Sequence, residues 1–289
     1  MDLENLTKFL SLNRGYTVQR WLGLWVNNAA QNMERLDSDF FLEDLTDIVP
    51  PDTHLIGVGP GPSLDQALPL LKANPKPVIS VNSALKALMS GGVAPYIVVV
   101  AHGEEIVGKQ IKAVAKGMPA ESILVCPITI HPMVPENWPG KVVWFTEHDP
   151  SPEYAAVKTL IHIVAKGRDL SKIGFITAGG CVLNCLLELS FIIGCRHLDL
   201  VGFELGGGPF ENYYSNQHTK CKDANVPLHR SNNWASFKQM TGYRLSAEQR
   251  NRYFKGRDSS YTLRNLSPYS FLQIPAADMN EVLGGRNGN

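Results

Sequence analysis

Residues 54–64, which read His-Leu-Ile-Gly-Val-Gly-Pro-Gly-Pro-Ser-Leu, constrain the fold more than any other stretch. The segment begins as an apolar strand, breaks at glycines and prolines, and leads into a helical pattern over 64–73. Glycine permits positive φ and close backbone approach, and a helix start presents unpaired N–H groups to an anion. The order strand, glycine turn, helix is typical of phosphate sites in α/β proteins. A tight turn that binds no ligand is the alternative interpretation.

We therefore predict that Gly59, Gly61, Pro62 and Ser63 bind a phosphate, with Ser63 either capping the helix or donating to a phosphate oxygen. The turn is not a G-x-G-x-x-G motif. It also lacks the lysine of a Walker loop, so a P-loop kinase is disfavoured.

The same alternation continues along the chain to residue 201. We predict strands at 55–58, 77–81, 96–101, 122–127, 141–145 and 197–201. We predict helices at 64–73, 83–90, 108–115, 154–165 and 182–193, and a turn at 177–180. Continuous β-branched runs are typical of strands buried on both faces. The fold class is therefore α/β, with a Rossmann-like, mostly parallel sheet and helices on both faces.

Around this core, the chain divides into four parts. Residues 1–50 form a helical N-terminal segment, and 51–205 form the Rossmann-like nucleotide-binding core. Residues 206–283 form an irregular, lid-like substrate region that returns to the core, and 284–289 form a disordered tail. Basic residues between 244 and 257 surround two aromatic residues, which indicates either a lid or a solvated helix. The sequence does not indicate an oligomeric state.

Bulk properties exclude several classes of function. The chain has 289 residues and a formal net charge of zero, which favours neither nucleic acid nor an anionic membrane as a partner. We expect no membrane span and no signal peptide, and we expect a cytoplasmic protein. Five cysteines without regular spacing predict reduced thiols, and Cys181 and Cys185 are expected to pack in the core.

Ligands of parallel sheets bind at the carboxyl ends of the strands. Polar side chains follow the predicted strands at Asn82, Ser83, His102 and Glu204. Two consecutive glycines, Gly179 and Gly180, precede a later helix and form a second candidate anion-binding turn.

Three segments resemble one family, which unites 6-hydroxymethylpterin pyrophosphokinases of the MptE type with the flagellin-modifying motility accessory factors (Maf). Residues 59–64 are similar to its Gly-Pro-Ser-Leu loop, and 81–99 to its Ala-Leu-Lys-x-Leu helix with the following strand. Residues 180–205 are similar to its run ending in Leu-Val-Gly-Gln-Asp-Leu. The helical leader with Trp25 and Asn28 resembles the longer Maf proteins, which favours the glycosyltransferase-like Maf branch.

The resemblance implies a transferase with a nucleotide ligand. In the Maf branch, a nonulosonic acid of the sialic type moves from a CMP-sugar donor to a hydroxyl group of a protein or glycan acceptor. The candidate catalytic residues are His102, His218 and Glu204, since imidazole titrates near neutral pH and suits a general base. Asn82 and Ser83 are expected to bind the nucleotide or the sugar. This chemistry requires no metal cofactor.

Two alternatives stay open. A pyrophosphokinase would transfer a pyrophosphoryl group from ATP to a pterin alcohol, with Mg²⁺ between the phosphates. His102 stands where the family usually has Asp after the third strand, and Mg²⁺ prefers oxygen ligands, so Glu104 becomes the candidate metal ligand. The third hypothesis is a nucleotide- or sugar-binding protein without catalysis, which the altered positions favour.

Overall fold

The structure, a computed structural model, describes residues 3–36, 39–46, 48, 50, 53–148, 152–177, 181–205, 261–267 and 274–284. The strands in these ranges are β1 (Phe40–Phe41), β2 (His54–Val58), β3 (Val78–Val81), β4 (Ile97–Val99), β5 (Ile123–Pro127), β6 (Lys141–His148), β7 (Phe175–Thr177), β8 (His197–Val201) and β9 (Thr262–Asn265). The helices are α1 (Leu3–Asn32), α2 (Ser63–Ala73), α3 (Leu85–Ser90), α4 (Glu105–Ala115), α5 (Met133–Glu136), α6 (Pro152–Val164), α7 (Val182–Ile192) and α8 (Met279–Leu283).

All the described strands join one parallel sheet. Its order is β1-β6-β5-β4-β3-β2-β8-β9, and β7 pairs with β6 as well. The central strands are buried throughout, as their continuous β-branched runs predict. The predicted α/β, Rossmann-like fold is therefore confirmed.

Side chains of alternate strand residues point to opposite faces of the sheet and enter two separate hydrophobic clusters. Ile97 and Val99 of β4 belong to the cluster that includes α2 and α7, whereas Val98 belongs to the cluster that includes α4 and α6. Helices thus cover both faces, as predicted.

The strand order reverses next to β2. From β2 the chain moves outward through β3, β4, β5 and β6, and β8 then pairs on the other side of β2. The register Val58↔Val201 brings the carboxyl ends of β2 and β8 together. This pair of strand ends is the topological switch point, where open α/β sheets bind their ligands.

The N-terminal segment is only partly helical, so the prediction for residues 1–50 is wrong beyond residue 32. After α1 the chain forms short 3₁₀ turns and β1, which pairs with β6 in the register Phe40↔Val143. The Phe41 N–H donates to the Asp44 carboxylate at 2.7 Å and fixes the turn that follows β1. Helix α1 itself packs against α6.

The sequence analysis also missed two other strands. Residues 175–177 form β7 on the edge of β6, so Thr177 belongs to a strand and not to a turn. Strand β9 lies beside β8 and contains Arg264. This charged residue interrupts the apolar pattern by which a buried strand is predicted from sequence. Both strands are short and bury only part of their length, which leaves little periodicity to read.

The described ranges contain no helix that combines the length and the apolar character needed to cross a bilayer. The four cysteines within these ranges are free thiols, and Cys185 is buried in α7 as expected. Residues 206–260 of the predicted lid-like region, among them 244–257, lie outside the described residues, as do residues 285–289 of the predicted tail. Within 261–283 the described residues form β9 and α8.

Candidate functional site

The turn after β2, residues 59–63, is here called the switch-point turn. It packs directly against the segment that follows β8. The Gly59 N–H donates to the Val201 carbonyl at 2.8 Å, and the Gly61 N–H donates to the Gly202 carbonyl at 2.9 Å. The two strand ends are therefore joined through their backbones.

Glycine is required on both sides of this contact. A Cβ on Gly61 would collide with the Glu204 carboxylate and lie 2.7 Å from the Gly202 carbonyl oxygen. Gly202 has φ of +73°, and a Cβ there would collide with the Gly59 carbonyl. The glycines thus serve the close approach of two loops within the chain.

Ser63 lies inside this contact and is fully buried. Its hydroxyl accepts from the Gly202 N–H at 3.1 Å and donates to the Ser267 hydroxyl at 3.2 Å. The Ser267 hydroxyl in turn accepts from the Phe203 N–H at 3.1 Å. Pro62, not Ser63, occupies the N-cap of α2, so the prediction that Ser63 caps the helix is wrong.

Glu204 occupies the position at the start of α2 that the sequence analysis assigned to a phosphate. Its Oε1 accepts from the Ser63 N–H at 3.0 Å. The side chain is 1% exposed, and its Oε2 has no hydrogen-bond partner among the described residues. Burial raises the pKa of this carboxyl, and the nearby Asp65 raises it further, despite the hydrogen bonds from Ser63.

Every N–H group of residues 59–65 consequently donates within the chain, since Leu64 and Asp65 donate to the carbonyls of Gly61 and Pro62. A phosphate at the start of α2 would have to replace the Glu204 carboxylate at Ser63. Phosphate binding by Gly59, Gly61, Pro62 and Ser63 therefore stays a prediction, with this displacement as its condition.

Asn82 and Ser83 follow β3 in a 3₁₀ turn, Asn82–Ala84. Asn82 is buried, and its Oδ1 makes no hydrogen bond to any described residue. Ser83 is half-buried. Buried oxygens without a donor are uncommon in folded proteins, so Asn82 Oδ1 and Glu204 Oε2 mark this edge as unusual.

The segment 100–104, between β4 and α4, is here called the His102 loop. His102 is exposed, whereas the next residue, Gly103, is buried. Glu104 is half-buried at the N-cap of α4, where its side chain makes no capping hydrogen bond. Glu105 is exposed and forms an ion pair with Lys109 at 2.9 Å.

The structure brings only some of the predicted site residues together. Ser63 and Glu204 are in direct contact, while Asn82 and His102 lie one and two strands further along the same carboxyl edge. Gly179, Gly180 and His218 lie outside the described residues.

Three polar residues at this edge were not identified as site residues from the sequence. Ser267, after β9, completes the hydrogen bonds around Ser63. Asn28 and Asn32 of α1 donate to loops at the carboxyl ends of β4 and β5. Their spacing of four residues, which places both on one helix face, was the available signal.

A cleft of about 330 Å³ lies at the opposite edge of the sheet. Lys72, Lys76 and Tyr96 line it, with residues at the amino ends of β3 and β5. Ligands of parallel sheets bind at the carboxyl ends, so this cleft is not part of the candidate site. Within the described ranges, no group of three or more His, Cys, Asp or Glu residues is arranged to hold a metal ion.

Comparisons with known proteins agree with this fold. Residues 27–208 match the family model described as 6-hydroxymethylpterin diphosphokinase MptE-like. The structure is similar to that of the Maf glycosyltransferase from Magnetospirillum magneticum AMB-1, with a TM-score of 0.54 and 18% sequence identity. That match covers 83% of this chain and 39% of the Magnetospirillum protein, so the chain spans about two-fifths of its length. No curated protein sequence matches the chain.

Proposed function

The chain belongs to the MptE-like family, and from this premise we propose that it is a nucleotide-dependent transferase of the glycosyltransferase type. The donor is a CMP-sugar, and the transferred group is a nonulosonic acid of the sialic type. The matched region, residues 27–208, contains the switch-point turn, the His102 loop and Glu204. The fold similarity to a Maf glycosyltransferase is consistent with the proposal.

One observation carries the proposed nucleotide site: two buried oxygens that have no donor among the described residues flank β2 at the switch point. They are Asn82 Oδ1 after β3 and Glu204 Oε2 after β8. Neighbouring strands lie about 4.8 Å apart, so two strands on either side of a third are about 10 Å apart. A nucleoside spans such a distance, and its hydroxyl and amino groups are the donors that these oxygens lack.

Phosphate binding adds a condition on Glu204. A phosphate at the start of α2 replaces the Glu204 carboxylate as the acceptor for the Ser63 N–H. The Glu204 carboxylate therefore moves away from the Ser63 N–H, because two anions side by side in a buried site repel each other. Burial raises the pKa of Glu204, so proton uptake by the displaced carboxyl lessens this repulsion.

The proposed reaction is a substitution at the anomeric carbon of the sugar. The acceptor oxygen forms a bond to that carbon, the bond from carbon to the phosphate oxygen breaks, and CMP leaves with the bonding electrons. His102, exposed at the carboxyl edge, takes the proton of the acceptor hydroxyl. His218 is the other candidate base.

Ligand binding is the first test. A ligand that binds only the folded protein increases the free energy of unfolding, by about 2.7 kcal/mol when its concentration is 100 times its Kd. The melting temperature rises as a result. We expect CMP and CMP-sialic acid to raise the melting temperature, and ATP to have no effect with or without Mg²⁺. Asn82→Ala should weaken the CMP effect, whereas Glu204→Gln, which cannot carry the charge that opposes the phosphate, should strengthen it. An equal shift for wild type and both variants would remove these residues from the site.

Turnover is the second test. His102→Ala should lower the rate of transfer from CMP-sialic acid by about 10²–10⁴-fold while CMP still binds, because a general base contributes that much. His162→Ala, at an exposed position on α6, is the matched control. Equal rates for the two variants would exclude His102 as the base.

The printed description of the family model favours a second candidate function, diphosphate transfer from ATP to a pterin alcohol. That reaction needs Mg²⁺ between the phosphates. Glu104 at the N-cap of α4 is the oxygen ligand nearest to the expected position, but the described residues supply no cluster around it. A thermal shift with ATP and Mg²⁺ alone would select this function. Binding of CMP-sialic acid without turnover would select the non-catalytic hypothesis.

A further inference from the structure

Helix α1 contacts the carboxyl edge of the sheet through two buried amides. Asn28 is 1% exposed and Asn32 is 0% exposed. The Asn28 Nδ2 donates to the carbonyls of Gly103 at 2.8 Å and Thr129 at 3.0 Å. The Asn32 Nδ2 donates to the carbonyls of Ile128 at 2.9 Å and Ile130 at 2.8 Å.

These contacts connect loops rather than fill the core. Each amide nitrogen uses both of its hydrogens, and all of the carbonyls it reaches belong to the turns after β4 and β5. An aliphatic side chain at either position would leave these buried carbonyls without the donors that the amides supply. The Oδ1 of Asn32 has no partner among the described residues, so the hydrogen-bonding contribution of this side chain comes from its two donated bonds.

Asn28 is the residue that reaches the His102 loop. Its amide joins the carbonyl of Gly103, the residue after His102, to the carbonyl of Thr129, which lies 26 residues further along the chain. The fit is close: a Cβ on Gly103 would lie 2.6 Å from the Thr129 carbonyl and 3.1 Å from Asn28 Nδ2. The His102 loop is therefore tightly packed against α1 and the turn after β5.

We propose that Asn28 is a positioning residue for His102, and that Asn32 holds the neighbouring turn after β5. Asn28 holds the carbonyl of Gly103, the residue after His102, and so fixes the backbone from which the His102 side chain projects. The role in transfer rests on the proposed function. The hold on the loop does not, because it follows from the hydrogen bonds alone.

Local hydrogen exchange tests the hold on the loop. In Asn28→Ala, the segment 100–106 should exchange at least about tenfold faster, since an opening then breaks two fewer hydrogen bonds. Asn32→Ala should instead accelerate the segment 128–131. Asn27→Ala, an exposed asparagine one residue away, should match wild type. Faster exchange over the whole sheet, or none at 100–106, would overturn the proposal.

An isosteric variant covers the case in which Asn28→Ala does not fold. Asn28→Asp keeps the shape of the side chain but faces two carbonyls without an N–H donor. It should lose protection at 100–106 near neutral pH and regain part of it in acid, where a protonated carboxyl donates once. A residue that only fills space would show no such recovery.

Turnover separates this inference from the proposed function. Asn28→Ala should lower kcat by about 10²-fold with little change in KM for the donor, as a small misplacement of a catalytic group does. If wild type transfers nothing but exchange at 100–106 still rises, the hold on the loop stands and the proposed transfer falls. If transfer is normal in Asn28→Ala, the positioning role is wrong.

Discussion

Strand β8 carries a buried carboxylate near its middle and another just beyond its carboxyl end, and their surroundings differ. Asp199 is 2% exposed and accepts two hydrogen bonds from Arg264, at 2.7 and 2.9 Å. Lys76 adds a second cation at 4.0 Å. Glu204, with 1% exposure, accepts one backbone N–H, and no cation contacts it among the described residues.

The difference separates a charge that is paired within the structure from a carboxylate that is a candidate for a functional role. At Asp199 the geometry of a bidentate pair compensates for burial, and the pair fastens β9 to β8. At Glu204 one oxygen has no donor within the part of the chain that the structure describes, and burial raises the pKa of the carboxyl. Perturbed carboxyls at strand ends are typical of functional sites, whereas well-paired ones are typical of scaffolds.

The largest expected effect tests the structural charge. Arg264→Ala leaves Asp199 buried without its bidentate partner and should lower the free energy of unfolding by about 3 kcal/mol, the lower end of the range for broken buried pairs. Urea denaturation at neutral pH measures this change. Lys76→Ala, which removes the more distant cation, should cost less than about 1 kcal/mol. Equal losses would show that the bidentate geometry is unimportant.

The contrast also shows where prediction from sequence ends. Apolar, β-branched runs such as 97–99 and 123–127 identified the central strands because burial on both faces fixes their composition. Strand β9 reads Thr-Leu-Arg-Asn, and only its partner Asp199 explains a charge in the sheet. A partner 65 residues away leaves no local pattern.

The candidate site shows the same limit. The sequence placed Asn82, His102 and Glu204 at strand ends, and the structure has them there. It did not show that Glu204 reaches across 141 residues to the Ser63 N–H, because such a contact depends on strand order. The glycine turn suggested a ligand, yet its glycines also serve backbone contact with Gly202.

The next prediction tests that backbone contact. Gly202→Ala should lower the free energy of unfolding by about 2–3 kcal/mol, because it adds a collision with the Gly59 carbonyl to about 1–2 kcal/mol of left-handed strain. Gly167→Ala is the matched control, since Gly167 also has positive φ, +84°, but has nothing within 4 Å of the Cβ position. It should show the strain alone. Chemical denaturation of the two variants side by side makes the comparison, and equal losses would refute the close contact.

A smaller effect tests Glu204, the candidate functional carboxylate. Glu204→Gln keeps an oxygen for the Ser63 N–H but cannot ionise. Because the pKa of Glu204 is raised in the folded protein, wild type loses stability as pH rises from the unfolded pKa near 4.5 through the folded value. The variant lacks this loss. The melting temperature of the variant should exceed that of wild type, and the difference should grow as pH rises. At neutral pH the difference in the free energy of unfolding should be on the order of 1 kcal/mol.

Asp65→Asn provides a control for Glu204→Gln. Asp65 raises the pKa of Glu204 through its charge, so its removal should shift the same pH profile in the same direction by a smaller amount. A Glu204→Gln profile parallel to that of wild type at all pH values would mean that Glu204 does not titrate abnormally. The distinction between Asp199 and Glu204 would then fail.

The smallest expected effect lies at the paired amino ends of β2 and β8, around His54 of β2. Its ring stacks on His197 at 4.4 Å between centroids, and burial, then His197 and Lys76, lower the pKa of His54. A lowered folded pKa means that the unfolded chain binds the proton more readily. Stability is therefore complete above pH 6.5 and is lost as pH falls from there through the folded pKa.

His54→Gln should flatten this decline, with a change in melting temperature below about 2 °C. His162→Gln, at an exposed position on α6, controls for the loss of a histidine. If His54→Gln declined in acid as steeply as wild type, the acid sensitivity would have to arise elsewhere.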